Sequence, residues 1–240
     1  MIWNQNRIFK SLSFCFTFLN AFAGILGFYA AIQGDFFWPL KFIIIGAVFD
    51  FWDGYFAKKS QEYSRYGAYM DSIADAITYV CVPSLVIVLS VPRSSTSLLS
   101  IQLMISLFYM ICGFYRLICF LSKPPKSYFE GLPTSIAALV IGSLIVLKNT
   151  APTELFFLLN NDILINLHII IISVLMITHL NYPSHVSYSP FFKCLRGIGY
   201  LCLGIYLILS NFWTALGVFL YFWIYIIIGP YYMNKKIILP

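Results

Sequence analysis

The stretch that decides the fold is Asp50–Asp75, DFWDGYFAKKSQEYSRYGAYMDSIAD, in which Asp50 and Asp53 end one apolar segment and Asp71 and Asp75 lie inside the next. These four are drawn from only nine acidic residues in a chain of 240. An ionised aspartate at the centre of a membrane helix costs about 2.5–3.5 kcal/mol on insertion scales, so four together call for a compensating interaction on the order of 10 kcal/mol. Nothing nearby in sequence supplies it, which points to a divalent cation. On a helix of 3.6 residues per turn Asp50, Asp53, Gly54 and Ala57 share one face, and Gly67, Asp71 and Asp75 share a face of the following helix. The short basic link between them makes the two helices antiparallel neighbours. All four carboxylates are therefore expected to meet at one point near that link.

Working outward, the composition fixes the class. With 60% hydrophobic residues, 10% charged residues and a mean hydropathy of +0.85, the chain cannot present a solvated globular surface. It reads as an all-α, polytopic integral membrane bundle with about eight spans, at residues 11–33, 36–57, 66–91, 98–121, 132–149, 163–180, 194–210 and 211–229. Residues 1–10 read as a short interfacial helix, and residues 1–240 as one domain without linker or repeat. Arg7, Lys10, Lys58, Lys59, Arg65, Arg116, Lys123, Lys126, Lys193, Arg196, Lys235 and Lys236 fall on one side of this eight-span arrangement, and Lys41, Arg93 and Lys148 on the other. Because Lys and Arg are retained in the cytoplasm, both termini and the aspartate site are expected there. The net charge of +6 is then a fringe for anionic lipid headgroups and no nucleic-acid footprint.

Ala21-Phe22-Ala23 has a small-x-small cleavage pattern, but it lies in the middle of the first apolar run, so an uncleaved first helix is expected. Cys15, Cys81, Cys112, Cys119, Cys194 and Cys202 show no C-x-x-C pair and read as reduced thiols. His168 reads as a hydrogen-bonded packing residue within a span. Neither it nor His179 and His185 is assigned to metal.

Four carboxylates without His or Cys make a hard, oxygen-only site that favours Mg2+ or Mn2+, as one ion or a close pair. Such a site suits phosphoryl-group transfer, where metal neutralises a diphosphate. Gly54, Ala57 and Gly67 lack bulk on the same faces, leaving room for a planar group, and Lys58 reaches a phosphate at the rim. Helix packing alone explains any one of these glycines, and Lys58 alone reads equally as a snorkelling anchor. Packing does not explain the registered aspartate pairs.

The run D-F-W-D-G-Y-F-A-K at Asp50–Lys58, eight residues, then G-A-Y-M-D-S-I-A-D at Gly67–Asp75 resembles the signature of the CDP-alcohol phosphotransferases, D-x-x-D-G-x-x-A-R, eight residues, G-x-x-x-D-x-x-x-D. Every spacing fits. The departure is Lys58 in place of Arg, which keeps the charge and loses the two-point fork for phosphate. Thr17, Asn20 and Gly24 are similar to the T-x-x-N-x-x-x-G pattern of the phosphatidylserine synthase branch, as are Asp71–Asp75 with the downstream Pro83, Gly131-Leu132-Pro133 with Ala137-Ala138, and Asn181-Tyr182-Pro183-Ser184. Where that branch has R-L-x-R-F-N, this chain has Arg116-Leu117-Ile118-Cys119-Phe120-Leu121, so only the first Arg remains. Asn181 stands where Arg is usual. Read alone, Gly131–Pro133 is also a helix start, Asn181–Ser184 a turn and Arg116 an interfacial anchor.

The resemblance implies transfer of the phosphatidyl group of CDP-diacylglycerol to L-serine, with membrane lipids around a homodimer. By the same resemblance Asp50, Asp53 and Asp71 ligate metal, Asp75 shares a second ion and acts as general base, and Thr17, Asn20, Gly54, Ala57, Lys58 and Gly67 bind the CDP group. Arg116 and Lys126 are placed to meet the carboxylate of the amino acid. Glycerol phosphate, inositol and choline remain alternative acceptors. An ion-coupled transporter would instead show inverted repeats and interrupted helices, which this sequence lacks.

Overall fold

The computed structural model describes residues 2–60, 65–90, 96–122, 128–152, 161–183 and 190–238. The link at 61–64, Arg93, Lys123–Lys126, Ser184 and His185 lie outside the described residues, as do the side chains of Arg65, Lys193, Cys194, Arg196, Lys235 and Lys236.

Helix α1 (Ile2–Ile32) begins at the chain start without a break, so the expected interfacial segment is simply its first turns. It stops at Gly34, whose φ of 81° ends the helix without strain. Gly34 N donates to the Ala31 carbonyl at 3.0 Å and Asp35 N to the Ala30 carbonyl at 3.3 Å, a Schellman closure. Asp35 Oδ1 then accepts from the N–H groups of Phe37 (2.8 Å) and Trp38 (3.1 Å), starting α2 (Phe37–Ser60). So short a connection folds α2 back along α1. Phe16 stacks on Phe56 at 5.5 Å, Phe9 stacks on Phe56 at 6.1 Å, and Lys59 lies 4.7 Å over the Phe9 ring. The start of α1 and the end of α2 therefore share one end of the bundle.

The next rod is α3 (Arg65–Asp75), a π-helical turn (Ala76–Cys81) and α4 (Val82–Leu89). Pro83 has no N–H, so the Tyr79 carbonyl loses its α-helical partner. The rod does not break, because Val82 N donates to the Ile77 carbonyl five residues back and the Tyr79 carbonyl accepts from the Tyr109 hydroxyl of α5 (Thr96–Ser122) at 2.7 Å.

Helix α6 (Thr134–Thr150) is the central post, buried from Ala137 to Lys148. Helices α2, α4, α7 (Asp162–Ile177) and α9 (Phe212–Ile238) pack around it. Asn161 caps α7 by accepting from Ile163 N at 3.1 Å. At the same end Lys148 Nζ meets Asp162 Oδ1 at 2.7 Å, tying the last turn of α6 to the first turn of α7. Helix α8 (Pro190–Leu209) joins α9 through Ser210, at φ 46°, and Asn211. Asn211 Oδ1 accepts from Thr214 N (3.0 Å) and Thr214 Oγ1 accepts from Asn211 N (3.1 Å), a reciprocal cap that sets the boundary between the last two helices. The last helix does not stop at residue 229 as expected but runs through Pro230 to Ile238.

The fold is thus the expected all-α membrane bundle, with eight helical rods among the described residues. Asn6–Ile32, Tyr66–Leu89, Leu98–Ser122 and Phe212–Met233 are long and apolar enough to cross a membrane by themselves. In α2 every membrane-length window holds Asp50 and Asp53 together with Lys41 or with Lys58 and Lys59. The only other regular element among the described residues is a two-stranded antiparallel ribbon of β1 (Tyr128–Glu130) and β2 (Asn181–Pro183), pairing Tyr128 with Pro183 and Glu130 with Asn181. Asn181–Pro183 is therefore a strand and not a turn. Gly131, at φ 77°, follows β1 because a side chain there would lie 2.5 Å from the Met176 carbonyl oxygen.

Candidate active site

Helix α2 delivers Asp50 and Asp53, and α3 delivers Asp71 and Asp75. One carboxylate oxygen from each of Asp50, Asp53 and Asp71 lies within 4.8 Å of the other two. Asp53 is only 4% exposed, and Asp50 and Asp71 are half-buried. At that separation and an effective dielectric of 20, each pair of carboxylates repels by about 3 kcal/mol or more. No surface salt bridge offsets a sum of that size. A cation does. Oxygens opposite one another around an octahedral ion sit roughly 4.2 Å apart, so the three aspartates match one coordination sphere of a hard divalent metal. Asp71 Oδ1 is buried without a hydrogen-bond partner among the described residues, as an oxygen awaiting a ligand would be.

Of the four carboxylates expected to meet, Asp50, Asp53 and Asp71 close to that distance. Asp75 lies beside them, near enough for their charges to act on it, and its Oδ1 accepts a hydrogen bond from Asn20 Nδ2 at 3.1 Å. Asn20 is fully buried, and its backbone carbonyl accepts from the Thr78 hydroxyl at 2.9 Å. One turn earlier on α1, the Thr17 hydroxyl lies 2.9 Å from Asp53 Oδ2 and 3.1 Å from the Ser13 carbonyl, sharing its single proton between them. Thr17 and Asn20 thus touch the carboxylates themselves. Glycines permit this closeness. A Cβ on Gly24 would fall 2.5 Å from Thr78 Oγ1, and one on Gly46 would fall 2.8 Å from Asn20 Oδ1.

Arg116 of α5 closes the other side. Its Nη1 donates to Thr134 Oγ1 at 3.1 Å, its Nε is buried without a partner among the described residues, and its charge acts on Asp50 and Asp75. Asn20 Oδ1, Asp71 Oδ1, Tyr79 Oη and Arg116 Nε are all buried without partners among the described residues. Such atoms are rare in a finished interior. Four of them around one carboxylate cluster describe a site with unmet demand for polar ligand atoms.

The remaining candidates form the rim. A Cβ on Gly54 would meet nothing within 4 Å, Ala57 and Lys58 are exposed, and Gly67 is half-buried. It is Lys59, not Lys58, that packs on the aromatic rings of Phe9 and Tyr55. Lys126 lies outside the described residues. The Gly131–Pro133 and Asn181–Pro183 segments come together, Gly131 N donating to the Leu180 carbonyl at 2.8 Å. Tyr182 stacks on Tyr225, whose hydroxyl donates to the Pro183 carbonyl at 2.9 Å. His168, on the lower-numbered half of α7, is tied to the Leu164 carbonyl at 2.7 Å and faces Trp223. Cys15, Cys81, Cys112, Cys119 and Cys202 are free thiols.

Sequence reasoning missed Thr78, Thr134 and Tyr109. Thr78 carried a signal, because it follows Asp75 by three residues on the same helical face. Thr134 directly follows the Gly-Leu-Pro element. Tyr109 had none, since its partner Tyr79 is 30 residues away in sequence.

The family profile for CDP-alcohol phosphatidyltransferases matches residues 11–178. The chain is 27% identical over 186 residues to an archaetidylserine synthase of Methanothermobacter thermautotrophicus, covering 75% of this chain and 73% of that one. It is 29% identical over 169 residues to a CDP-diacylglycerol–serine O-phosphatidyltransferase of Methanocaldococcus jannaschii, covering 70% and 72%. It is also 29% identical over 165 residues to the enzyme of that name from Bacillus subtilis, covering 68% and 85%. With its profile match spanning the aspartate site and most of the helical bundle, the chain belongs to the CDP-alcohol phosphatidyltransferase family, a family of membrane-bound phosphotransferases that use a divalent metal.

Proposed function

We propose that this protein transfers the phosphatidyl group of CDP-diacylglycerol to the hydroxyl of L-serine, giving phosphatidylserine and CMP. The observation that carries the reading is the division among the aspartates: Asp50, Asp53 and Asp71 converge, while Asp75 is held beside them by Asn20. The names of the relatives support serine as the acceptor.

In this reading Asp50, Asp53 and Asp71 hold Mg2+ or Mn2+, the ions that an oxygen-only donor set prefers. When bound, the metal neutralises the diphosphate and stabilises the leaving oxygen. Thr17 fixes the rotamer of Asp53. Gly54, Ala57 and Gly67 leave the helix faces low enough for the CDP group, and Lys58 meets its phosphates at the rim. Arg116 takes the serine carboxylate, steadied by Thr134. With Oδ1 engaged by Asn20, Asp75 receives the serine hydroxyl proton on Oδ2 and so acts as base more than as ligand. As the serine oxygen bonds to the lipid-side phosphorus, the bond from that phosphorus to the bridging oxygen breaks. CMP leaves with that oxygen.

The whole chain, residues 1–240, acts in this reading as one domain, as a homodimer, with both termini and the mouth of the site in the cytoplasm. Supporting this orientation, Lys58 and Lys59 lie at the site's end of the bundle, whereas Lys41 lies over Trp38 and Lys148 pairs with Asp162 at the other. The test is an acceptor panel: purified protein with CDP-diacylglycerol, Mn2+ or Mg2+, and serine, glycerol phosphate, inositol or choline. Serine-dependent CMP release supports the reading, and preference for another alcohol replaces the acceptor while leaving the transferase in place. Cysteine cross-linking in native membranes tests the dimer and the sidedness.

A further inference from the structure

Tyr79 is completely buried in the π-helical turn, and its hydroxyl has no hydrogen-bond partner among the described residues. Buried tyrosine hydroxyls ordinarily find one. Those of Tyr109 and Tyr225 do, through the carbonyls of Tyr79 and Pro183. Tyr182 shares the lack, but it lies on the ribbon against Tyr225. The hydroxyl of Tyr79 instead sits in the field of all four site aspartates, with Asp50 the strongest.

Its position in the rod explains this. Asp71, Asp75 and Tyr79 follow at steps of four, and side chains on a helix lean towards its N-terminus, so the ring rises from below towards Asp75. The Tyr109 hydroxyl bonded to the Tyr79 carbonyl fixes the backbone there. Along the axis Tyr79 lies roughly 12 Å beyond Asp71, away from the link at 61–64 and towards the middle of the bundle. It therefore forms the inner floor of the site, opposite the rim with Lys58.

We propose that Tyr79 is a substrate-binding residue whose hydroxyl donates a hydrogen bond to an oxygen of the phosphatidyl half of the lipid donor. The inference rests on the transfer reading above. Of the groups that reading brings together, the nucleotide and the amino acid are charged and belong at the open mouth. The diacylglycerol is the part that continues into the apolar interior, and its glyceryl, phosphoryl and ester oxygens are acceptors for such a donor. A neutral hydroxyl supplies one without adding a charge beside the carboxylates.

Tyr79→Phe removes that oxygen and nothing else. Loss of one neutral hydrogen bond to substrate should raise both KM and Kd for CDP-diacylglycerol about three- to tenfold, with kcat and the serine KM unchanged. Thermal stability should stay the same or rise, because the substitution deletes a buried polar atom that has no partner among the described residues. A donor with ether-linked chains identifies the acceptor oxygen. If the penalty vanishes with the ether donor, the bond goes to an ester carbonyl; if it persists, the bond goes to a glyceryl or phosphoryl oxygen. Unchanged donor affinity, a loss confined to the serine KM, or a fall in melting temperature would overturn the proposal. Donor Kd is read without acceptor, so a wild type that prefers another alcohol would revise the serine assignment and leave this test intact.

Discussion

Asn20→Ala separates two roles for the first helix. In the structure Asn20 Nδ2 donates to Asp75 Oδ1 at 3.1 Å, while the resemblance to the family implies contact with the CDP group. A hydrogen bond to a charged group contributes about 1.5–3 kcal/mol, and its loss frees Asp75 to swing towards the metal ligands. If Asn20 positions the base, that energy comes off the transition state. The turnover number should then fall about ten- to a hundredfold, with the KM for CDP-diacylglycerol nearly constant. The bond from the Thr78 hydroxyl to the Asn20 carbonyl survives the substitution, so the helix should keep its place. The assay is steady-state release of CMP in mixed micelles, with donor and serine varied independently. A raised donor KM with unchanged turnover would refute the positioning argument and return Asn20 to the nucleotide pocket.

Asp50→Asn, Asp53→Asn and Asp71→Asn should each reduce turnover to background while membrane insertion stays normal, since each change removes a ligand yet makes its helix cheaper to insert. EDTA should silence the wild type, and Mn2+ or Mg2+ should restore it; restoration by Zn2+ alone would contradict an oxygen-only site. Lys58→Ala should raise the donor KM severalfold and Lys58→Arg should preserve or lower it, and a neutral alanine variant would make Lys58 an interfacial anchor. Lys148→Met strands Asp162 at the far end of the bundle. Since Asp162 keeps 31% exposure, the expected loss is about 1–2 kcal/mol, read as a lower melting temperature with kinetics unchanged.

Much of this was legible because helical periodicity is local. The spacings 50–53 and 71–75 place each aspartate pair on one face, and the break between the expected spans 11–33 and 36–57 falls where the structure reverses at Gly34 and Asp35. What was not legible depends on partners far apart in the chain. The same spacings gave no sign that Asp75 would be held from α1, because its partner Asn20 is 55 residues away. Pro83 lies inside the expected span 66–91, but that a hydroxyl from α5 would satisfy the carbonyl it frees was not legible. At the other end of the chain the expected span closes at residue 229, whereas α9 continues through Pro230. Asn181–Pro183 has the composition of a turn and becomes a strand only because Tyr128–Glu130 is brought beside it. Gly24 looked like a motif residue, and its reason, the Thr78 side chain 2.5 Å from where a Cβ would be, belongs to tertiary packing.

The most direct measurement of the central claim follows both products of one reaction: purified protein, Mn2+, CDP-diacylglycerol and isotopically labelled serine, with phosphatidylserine and CMP quantified together by mass spectrometry. The account predicts equal amounts of the two, dependent on serine and abolished by Asp53→Asn. CMP formed without labelled lipid, or labelled lipid formed equally well by the Asp53→Asn variant, would contradict it.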